Sequence, residues 1–327
     1  MPVQLKPGVV LHKRYKIDRV IGQGGKGCIY LAEDLVLAGR SCAVKEVEHD
    51  PSLPENVLKE TRDQFHQEAT ILARLDHPNL PKVSDFFSIL DNDYLVMDFV
   101  PGDDLRALML KASQAGKFLT EGEVIGWATQ LGDALVYLHG QQPAILHRDI
   151  KPSNMKLTPS GLLKLVDFGL ARMLAPGEVT VTILQGQGTA QYTPLEQYGG
   201  DSAHTDVRSD IYSFAATLYH LLTNEPPANV RDRFLDSAAL IPPRELNQAI
   251  SPRTERAILW GLQLHPSDRP ASVQAFVRAL TEESSPLSRG ISNHRKQKVM
   301  QTLEIALSAI AIGLAMIGLI LSLVHIL

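Results

Sequence analysis

One short stretch of this chain, His147-Arg148-Asp149-Ile150-Lys151-Pro152-Ser153-Asn154, puts a carboxylate, an ammonium and a carboxamide on a single loop, and a second carboxylate follows in Asp167-Phe168-Gly169. Transfer of a phosphoryl group from a nucleoside triphosphate needs that set. One carboxylate orients the attacking hydroxyl and takes its proton, while a second carboxylate and an amide hold the cations that neutralise charge on the phosphates. The residues to place are therefore Asp149, Lys151, Asn154 and Asp167.

The preceding residues supply elements that could position a nucleotide against them. Ile21-Gly22-Gln23-Gly24-Gly25-Lys26-Gly27-Cys28-Ile29-Tyr30 spaces its glycines as G-x-G-x-x-G. That spacing also occurs in ordinary turns and dinucleotide-binding loops. The flanks Tyr15–Val20 and Ile29–Ala32 read as strands, so the spacing predicts a hairpin folded over phosphates, not a strand feeding a helix. Glycine suits such a loop because missing β-carbons let amides approach phosphate oxygens. Cys42-Ala43-Val44-Lys45 is an apolar strand ending in lysine. Phe65 to Leu75 has helical periodicity, with Phe65, Leu72 and Leu75 on the apolar face and Asp76-His77-Pro78 as the stop. Glu68 lies on this helix. Glu55 and Glu60 precede the periodic stretch and read as linker. Tyr94 to Phe99 is an apolar strand that Pro101-Gly102 turns in a new direction.

In this order the motifs resemble a Ser/Thr protein kinase of the bacterial, eukaryotic-like type, from about Tyr15 to about Leu280. The resemblance implies an α+β fold: a small antiparallel sheet with one helix over residues 15–99, a larger helical lobe over 101–280, and ATP with Mg2+ (or Mn2+) in the cleft. The helical reading also rests on Glu123 to Leu138, with Val124, Trp127, Ala128, Leu131, Leu135 and Leu138 on one face, and on Asp210 to Leu222. By the same resemblance Lys45, held by Glu68, grips the nonreacting phosphates, and Gly22, Gln23, Gly24, Gly25 and Gly27 cover them. Met97 stands behind the adenine, backbone groups of Asp98 and Val100 bond its edge, and Asp104 sits near the ribose. Ile29, Ala43 and Leu157 complete the nucleotide set. Asp149 is the catalytic base, Asn154 and Asp167 are the metal ligands, and Lys151 stabilises the moving group and binds Thr189. Val83, Leu72, Phe168 and His147 form an apolar column between the lobes, and Asp210 anchors its base near His147.

Thr180, Thr182 and Thr189 are hydroxyls of the segment between Gly169 and Glu196. A phosphate on Thr180 or Thr182 could order it against Arg148. Three positions depart from the family pattern. Its Ala-Pro-Glu is Pro194-Leu195-Glu196 here, although Glu196 and its expected partner Arg269 are both kept. Alanine stands at Ala215 where glycine is usual, and Cys28 lies in the phosphate loop. Ser153 replaces a glutamate common in arginine-directed kinases, which argues against a strong arginine preference. A silent or partner-activated scaffold is the competing class. Lys45, Asp149, Asn154 and Asp167, whose loss marks such scaffolds, are all present.

The 327 residues carry a formal net charge of −4, so no general basic field invites nucleic acid. The two cysteines, Cys28 and Cys42, cannot build a disulfide framework and fit a reducing compartment. Residues 1–14 read as an N-terminal extension without a secretory signal, and 281–302 as a linker ending in a basic stretch, His294 to Lys298. The chain from 303 to 327 is uncharged between Ile305 and Val324. About 20 residues at about 1.5 Å each span about 30 Å, the thickness of a bilayer's hydrocarbon core. The basic flank predicts a single-pass membrane anchor with the catalytic lobes cytoplasmic, the C-terminus at the outer face and no external sensor domain. Ala309 with Gly313, and Gly318 with Ser322, are small residues four apart that could support weak helix-mediated dimerisation.

Overall fold

The computed structural model describes residues 4–24, 27–49, 52, 54–167, 172–173, 190–198 and 205–282. The chain divides into two units, Met1–Thr281 and Glu282–Leu327, and every element below belongs to the first. Among the described residues no helix is long and apolar enough to cross a membrane. The expected span 303–327, its linker beyond Glu282, Thr180, Thr182, Thr189 and Phe168 all lie outside the described residues.

The first lobe is built on strands β1 (Val10–Leu11), β2 (Tyr15–Gly24), β3 (Gly27–Asp34), β4 (Ser41–Glu48), β5 (Val83–Ile89) and β6 (Asn92–Asp98), in the order β1-β2-β3-β4-β6-β5. All neighbours are antiparallel. The sheet starts earlier than the reading of 1–14 as an extension allowed, because Val10 and Leu11 pair with Lys16 and Tyr15 and Leu11 is buried. Alternation along these strands creates two cores. Cys28, Tyr30, Cys42, Val44, Tyr94 and Val96 pack on one face. Ala43, Leu95 and Met97 pack on the other, with Ile29 against them, in a cluster that also takes in the sheet's helix and the second lobe. Lys45 stands opposite Ile29 and Leu95, so the register puts it on this second, lobe-facing side.

The sheet's one helix, α1, runs Glu55–Arg74 and buries Phe65, Glu68, Ala69 and Leu72. It corrects the reading of Glu55 and Glu60 as linker residues. The first two turns are nearly all solvent-facing, so they carry no apolar period to announce them.

The second lobe contains α2 (Leu105–Gln114), α3 (Glu121–His139), α4 (Val207–Thr223), α5 (Val230–Leu235), α6 (Pro243–Leu246), α7 (Pro252–Gly261) and α8 (Val273–Thr281). Thr120 and Glu123 form a capping box that sets the start of α3. Its predicted face is buried at Val124, Ala128, Leu131, Leu135 and Leu138, while Trp127 is only half-buried. Helix α4 is buried on nearly all sides and forms the lobe's axis. Two small ladders lie between α3 and α4 in the sequence. Strand β7 (Ile145–Leu146) pairs with β10 (Arg172–Met173), and β8 (Met155–Leu157) pairs with β9 (Leu163–Leu165).

Candidate active site

The β8–β9 ladder brings the reacting groups together. Met155 faces Leu165, and the Val166 amide extends the ladder by donating to the Asn154 carbonyl at 2.8 Å. Asn154, just before β8, and Asp167, just after β9, are thereby neighbours although thirteen positions separate them. The loop from His147 to Asn154 leaves β7 and closes in a 3-10 turn at Pro152–Asn154. Within it Lys151 Nζ donates to both oxygens of Asp149, at 2.9 and 2.8 Å. Asn154 Nδ2 donates to the Asp149 carbonyl at 2.8 Å and to Asp149 Oδ2 at 2.9 Å. Asp149 is thus gripped from two sides, and a carboxylate has lone pairs to spare for a substrate hydroxyl.

The base of the loop is pinned from below. Asp210 is fully buried in α4 and accepts from the amides of His147 and Arg148 at 2.9 and 2.8 Å. This matches the expected anchor. His139, at the end of α3, adds a bond at 2.8 Å. Burial alone would raise the Asp210 carboxyl, but the His139 bond and the His147 amide hold it below the usual range. Burial pushes the His147 imidazole the opposite way, toward its neutral form. Arg148 and Asp167 are non-glycine residues at φ 61° and 60°. Such conformations cost energy and persist where surroundings enforce them, which here means at both chemistry-bearing turns.

Across the cleft, Lys45 Nζ meets Asp167 Oδ1 at 2.5 Å. The Lys45 charge holds the Asp167 carboxyl below its ordinary range against the desolvation that would raise it. Lys45 and Glu68 line the same small cavity with Val47, Phe65, Ala69, Leu72 and Leu95, so α1 presents its glutamate to the strand lysine. Leu72, Val83 and His147 are each buried; Phe168, the fourth residue expected in that column, lies outside the described residues.

The glycine segment forms the predicted hairpin. Gly22 pairs with Ile29, Gln23 with Cys28 and Gly24 with Gly27, while Gly25 lies outside the described residues. Gly27 has φ 139°, and a β-carbon there would come within 2.1 Å of the Glu46 carbonyl, so no other residue fits. At the lobe connection Met97 and Val100 are buried. The Asp98 amide already donates to Lys82 O at 3.0 Å, so only its carbonyl could serve a base edge. Asp104 caps α2, with Oδ1 accepting from the Ala107 amide at 2.8 Å, which commits one of the two oxygens expected near a ribose. Leu157 lies on the same face of β8 as buried Met155 and packs against the main core; Lys156 occupies the opposite face. Ala43 is buried opposite Met97.

The donor set suits Mg2+. Asn154 spends its amide nitrogen on Asp149, which leaves Oδ1 as a hard oxygen ligand, and Asp167 is held ionised beside it. Among the described residues no group of three or more His, Cys, Asp or Glu forms a protein-only metal cage. Mg2+ typically keeps waters and substrate phosphates as its remaining ligands.

Glu196 and Arg269 pair as the resemblance implies. Two bonds of 2.6 and 3.0 Å join them, Ser209 donates to Glu196 at 2.7 Å, and Arg269 also donates to three carbonyls. Ser213 Oγ donates to Tyr192 O at 2.7 Å and Thr217 Oγ1 to Ile150 O at 3.3 Å, so α4 holds both the 190–198 segment and the catalytic loop. The linear motifs gave no sign of His139 as a second partner of Asp210. They also left unseen a cavity beside Lys151 whose lining includes Arg106, Gln191 and His220. Those residues come from different elements and share no local pattern.

Comparison with known proteins agrees with this geometry. The chain is 34% identical over 269 residues to a probable serine/threonine-protein kinase of Clostridium acetobutylicum, covering 80% of this chain and 38% of that protein. It is 33% identical over 275 residues to the serine/threonine-protein kinase PknB of Mycobacterium leprae, covering 79% and 41%. The chain thus spans well under half the length of these curated relatives. Among solved structures, the kinase domain of Mycobacterium tuberculosis PknI superposes with a TM-score of 0.62 at 27% identity, covering 85% of this chain and 98% of that one. Residues 15–280 match the protein kinase domain family, a span that holds every catalytic candidate from Gly22 to Asp167; the chain belongs to that family.

Proposed function

We propose that this chain is an ATP-dependent serine/threonine protein kinase, held at a membrane by its C-terminal segment. The observation that carries the reading is the hydrogen-bonded set Asp149–Lys151–Asn154 placed beside the Lys45–Asp167 pair. In the proposed reaction a substrate hydroxyl oxygen attacks the γ-phosphorus of ATP. The bond to the β–γ bridging oxygen breaks, ADP leaves, and the hydroxyl proton passes to Asp149. Lys45 holds the nonreacting phosphates, and Lys151, shared with Asp149, offsets charge on the group in flight. Mg2+ held by Asn154 and Asp167 supplies further neutralisation of the phosphates when bound. Protein substrates are favoured because the 190–198 segment is braced by Glu196–Arg269 and Ser213 as a platform next to the loop.

The uncharged run from Ile305 to Val324 and the basic residues before it support a cell-membrane location with the catalytic lobes in the cytoplasm and the C-terminus at the outer face. Helix-mediated dimerisation through Gly313 and Gly318 would raise the local concentration for phosphorylation of Thr180 or Thr182 in trans. Detergent-solubilised full-length protein, incubated with labelled ATP and myelin basic protein, is expected to label serine or threonine only when Mg2+ or Mn2+ is present. ATP binding without any transfer would instead favour a scaffold. Mass spectrometry of active protein that finds no phosphate between Gly169 and Glu196 would remove the autophosphorylation step. Sedimentation with the lipid fraction tests the anchor, and truncation after residue 282 should abolish it.

A further inference from the structure

Beside the catalytic loop lies a cavity of about 310 Å³ whose wall includes Arg106 from α2, Lys151 and Ser153 from the loop, Gln191 and Tyr192 from the 190–192 turn, and His220 from α4. Its chemistry is one-sided. No described carboxylate lines it. Lys151 shares its charge with Asp149, whereas Arg106 is exposed and enters none of the ion pairs among the described residues. His220 is held neutral, its imidazole pushed down to about 4 by burial and by the Arg106 charge, and it bonds Tyr192 Oη through Nδ1 at 2.5 Å. Gln191 Oε1 is buried and has no hydrogen-bond partner among the described residues, which makes it an acceptor in need of a donor.

From this lining we infer that the cavity is a specificity pocket for an anionic side chain of the substrate, a carboxylate or a phosphate, within three residues of the acceptor hydroxyl. This inference rests on the protein-kinase reading above. The anion would pair with the Arg106 guanidinium, and a peptide N–H of the substrate would satisfy Gln191 Oε1. Proximity fixes the reach, since Lys151 belongs both to the wall of the cavity and to the bonds that hold Asp149. A cationic side chain would find Arg106 and no counter-charge among the described lining residues, so arginine near the acceptor should be rejected.

Peptides with a single acceptor, carrying Glu, phosphoserine, Ala or Arg singly at each of the three positions on either side, test this. At one position Glu should exceed Ala in kcat/KM by about tenfold, as a charge-assisted bond of this kind allows, with Arg below Ala. Phosphoserine above Glu would assign the pocket to a phosphorylated substrate, and Glu at or above phosphoserine to a carboxylate; each supports the anion site. Arg106→Glu should invert the Glu-over-Arg order. Equal rates for Glu and Ala at all positions, or an order unchanged by Arg106→Glu, would overturn it. Should no peptide be phosphorylated, the catalytic reading fails separately, and fluorescence anisotropy with acceptor-to-Ala peptides still decides the pocket. Tighter binding of the Glu peptide that Arg106→Glu removes supports the site, and equal binding of the Glu and Ala peptides overturns it.

Discussion

Lys45 and Asp167 meet at 2.5 Å and Arg269 and Glu196 at 2.6 Å, yet solvent reaches the first pair and scarcely touches the second. Side-chain exposure is 18% and 31% for Lys45 and Asp167, against 0% and 6% for Arg269 and Glu196. The partners differ as well. Arg269 spends its remaining donors on the carbonyls of Gln263, Arg208 and Leu264, and its guanidinium lies over the Tyr212 ring at 5.0 Å. Its guanidinium has every N–H committed and the pair is almost closed to water, so it has no donor left for a ligand. The Lys45–Asp167 pair sits at the cleft with both members partly wetted, and in the proposed reaction its charges would pass to phosphates and a cation. The same chemistry of charge is a fixed brace in one place and, under the proposed function, an exchangeable ligand set in the other.

The comparison breaks if removing Asp167 unfolds the protein or if removing Arg269 spares it. Asp167→Asn should lower kcat by at least about 10³-fold, or ~4 kcal/mol of transition-state stabilisation, with thermal unfolding changed less than by loss of Arg269, because water reaches both members of this pair and offsets part of the lost contact. Steady-state kinetics and calorimetry on the same preparation check both halves. Arg269→Ala should cost about 3–5 kcal/mol in denaturant unfolding, since it leaves Glu196 charged and buried without its partner.

Backbone fit sharpens the contrast at smaller scale. Gly102 turns the chain out of the lobe connection at φ 104°, and an added β-carbon would lie 2.1 Å from the Leu157 carbonyl. Gly102→Ala should therefore cost about 1–3 kcal/mol and loosen the entry to α2. The last effect concerns acid. The unfolded His220 gains a proton near pH 6.5, but the folded one resists until about 4, so stability is lost as pH falls through that window. His220→Gln should flatten the stability curve between those values, and urea titrations at several pH values would show it.

Much of the catalytic centre was legible because its residues are contiguous. The chain from His147 to Asn154 carries a carboxylate, an ammonium and an amide in one run, and the glycine hairpin and Lys45 announce themselves by spacing. The anchoring of the loop by Asp210 was also foreseeable from the resemblance, and the structure adds His139 to it. Other features depend on three-dimensional assembly. Helix α1 begins at Glu55, which hydrophobic period could not reveal because Glu55, Lys59 and Glu60 all face water. The strand Val10–Leu11 is too short to alternate. The resemblance places Asp104 near a ribose, and its role as the cap of α2 is visible only with the Ala107 amide in place. Arg106, Gln191 and His220 meet only after α2, α4 and the 190–192 turn have packed.

The central claim is that Asp149 serves the substrate hydroxyl within a loop that stays assembled without it. Wild type and Asp149→Asn should be compared for Mg2+-dependent transfer from labelled ATP, with phosphoamino acid analysis of the product and nucleotide affinity measured alongside. The account predicts phosphoserine or phosphothreonine from the wild type and about 10³-fold slower transfer by Asp149→Asn at unchanged ATP affinity. Equal transfer rates for the two proteins would contradict it.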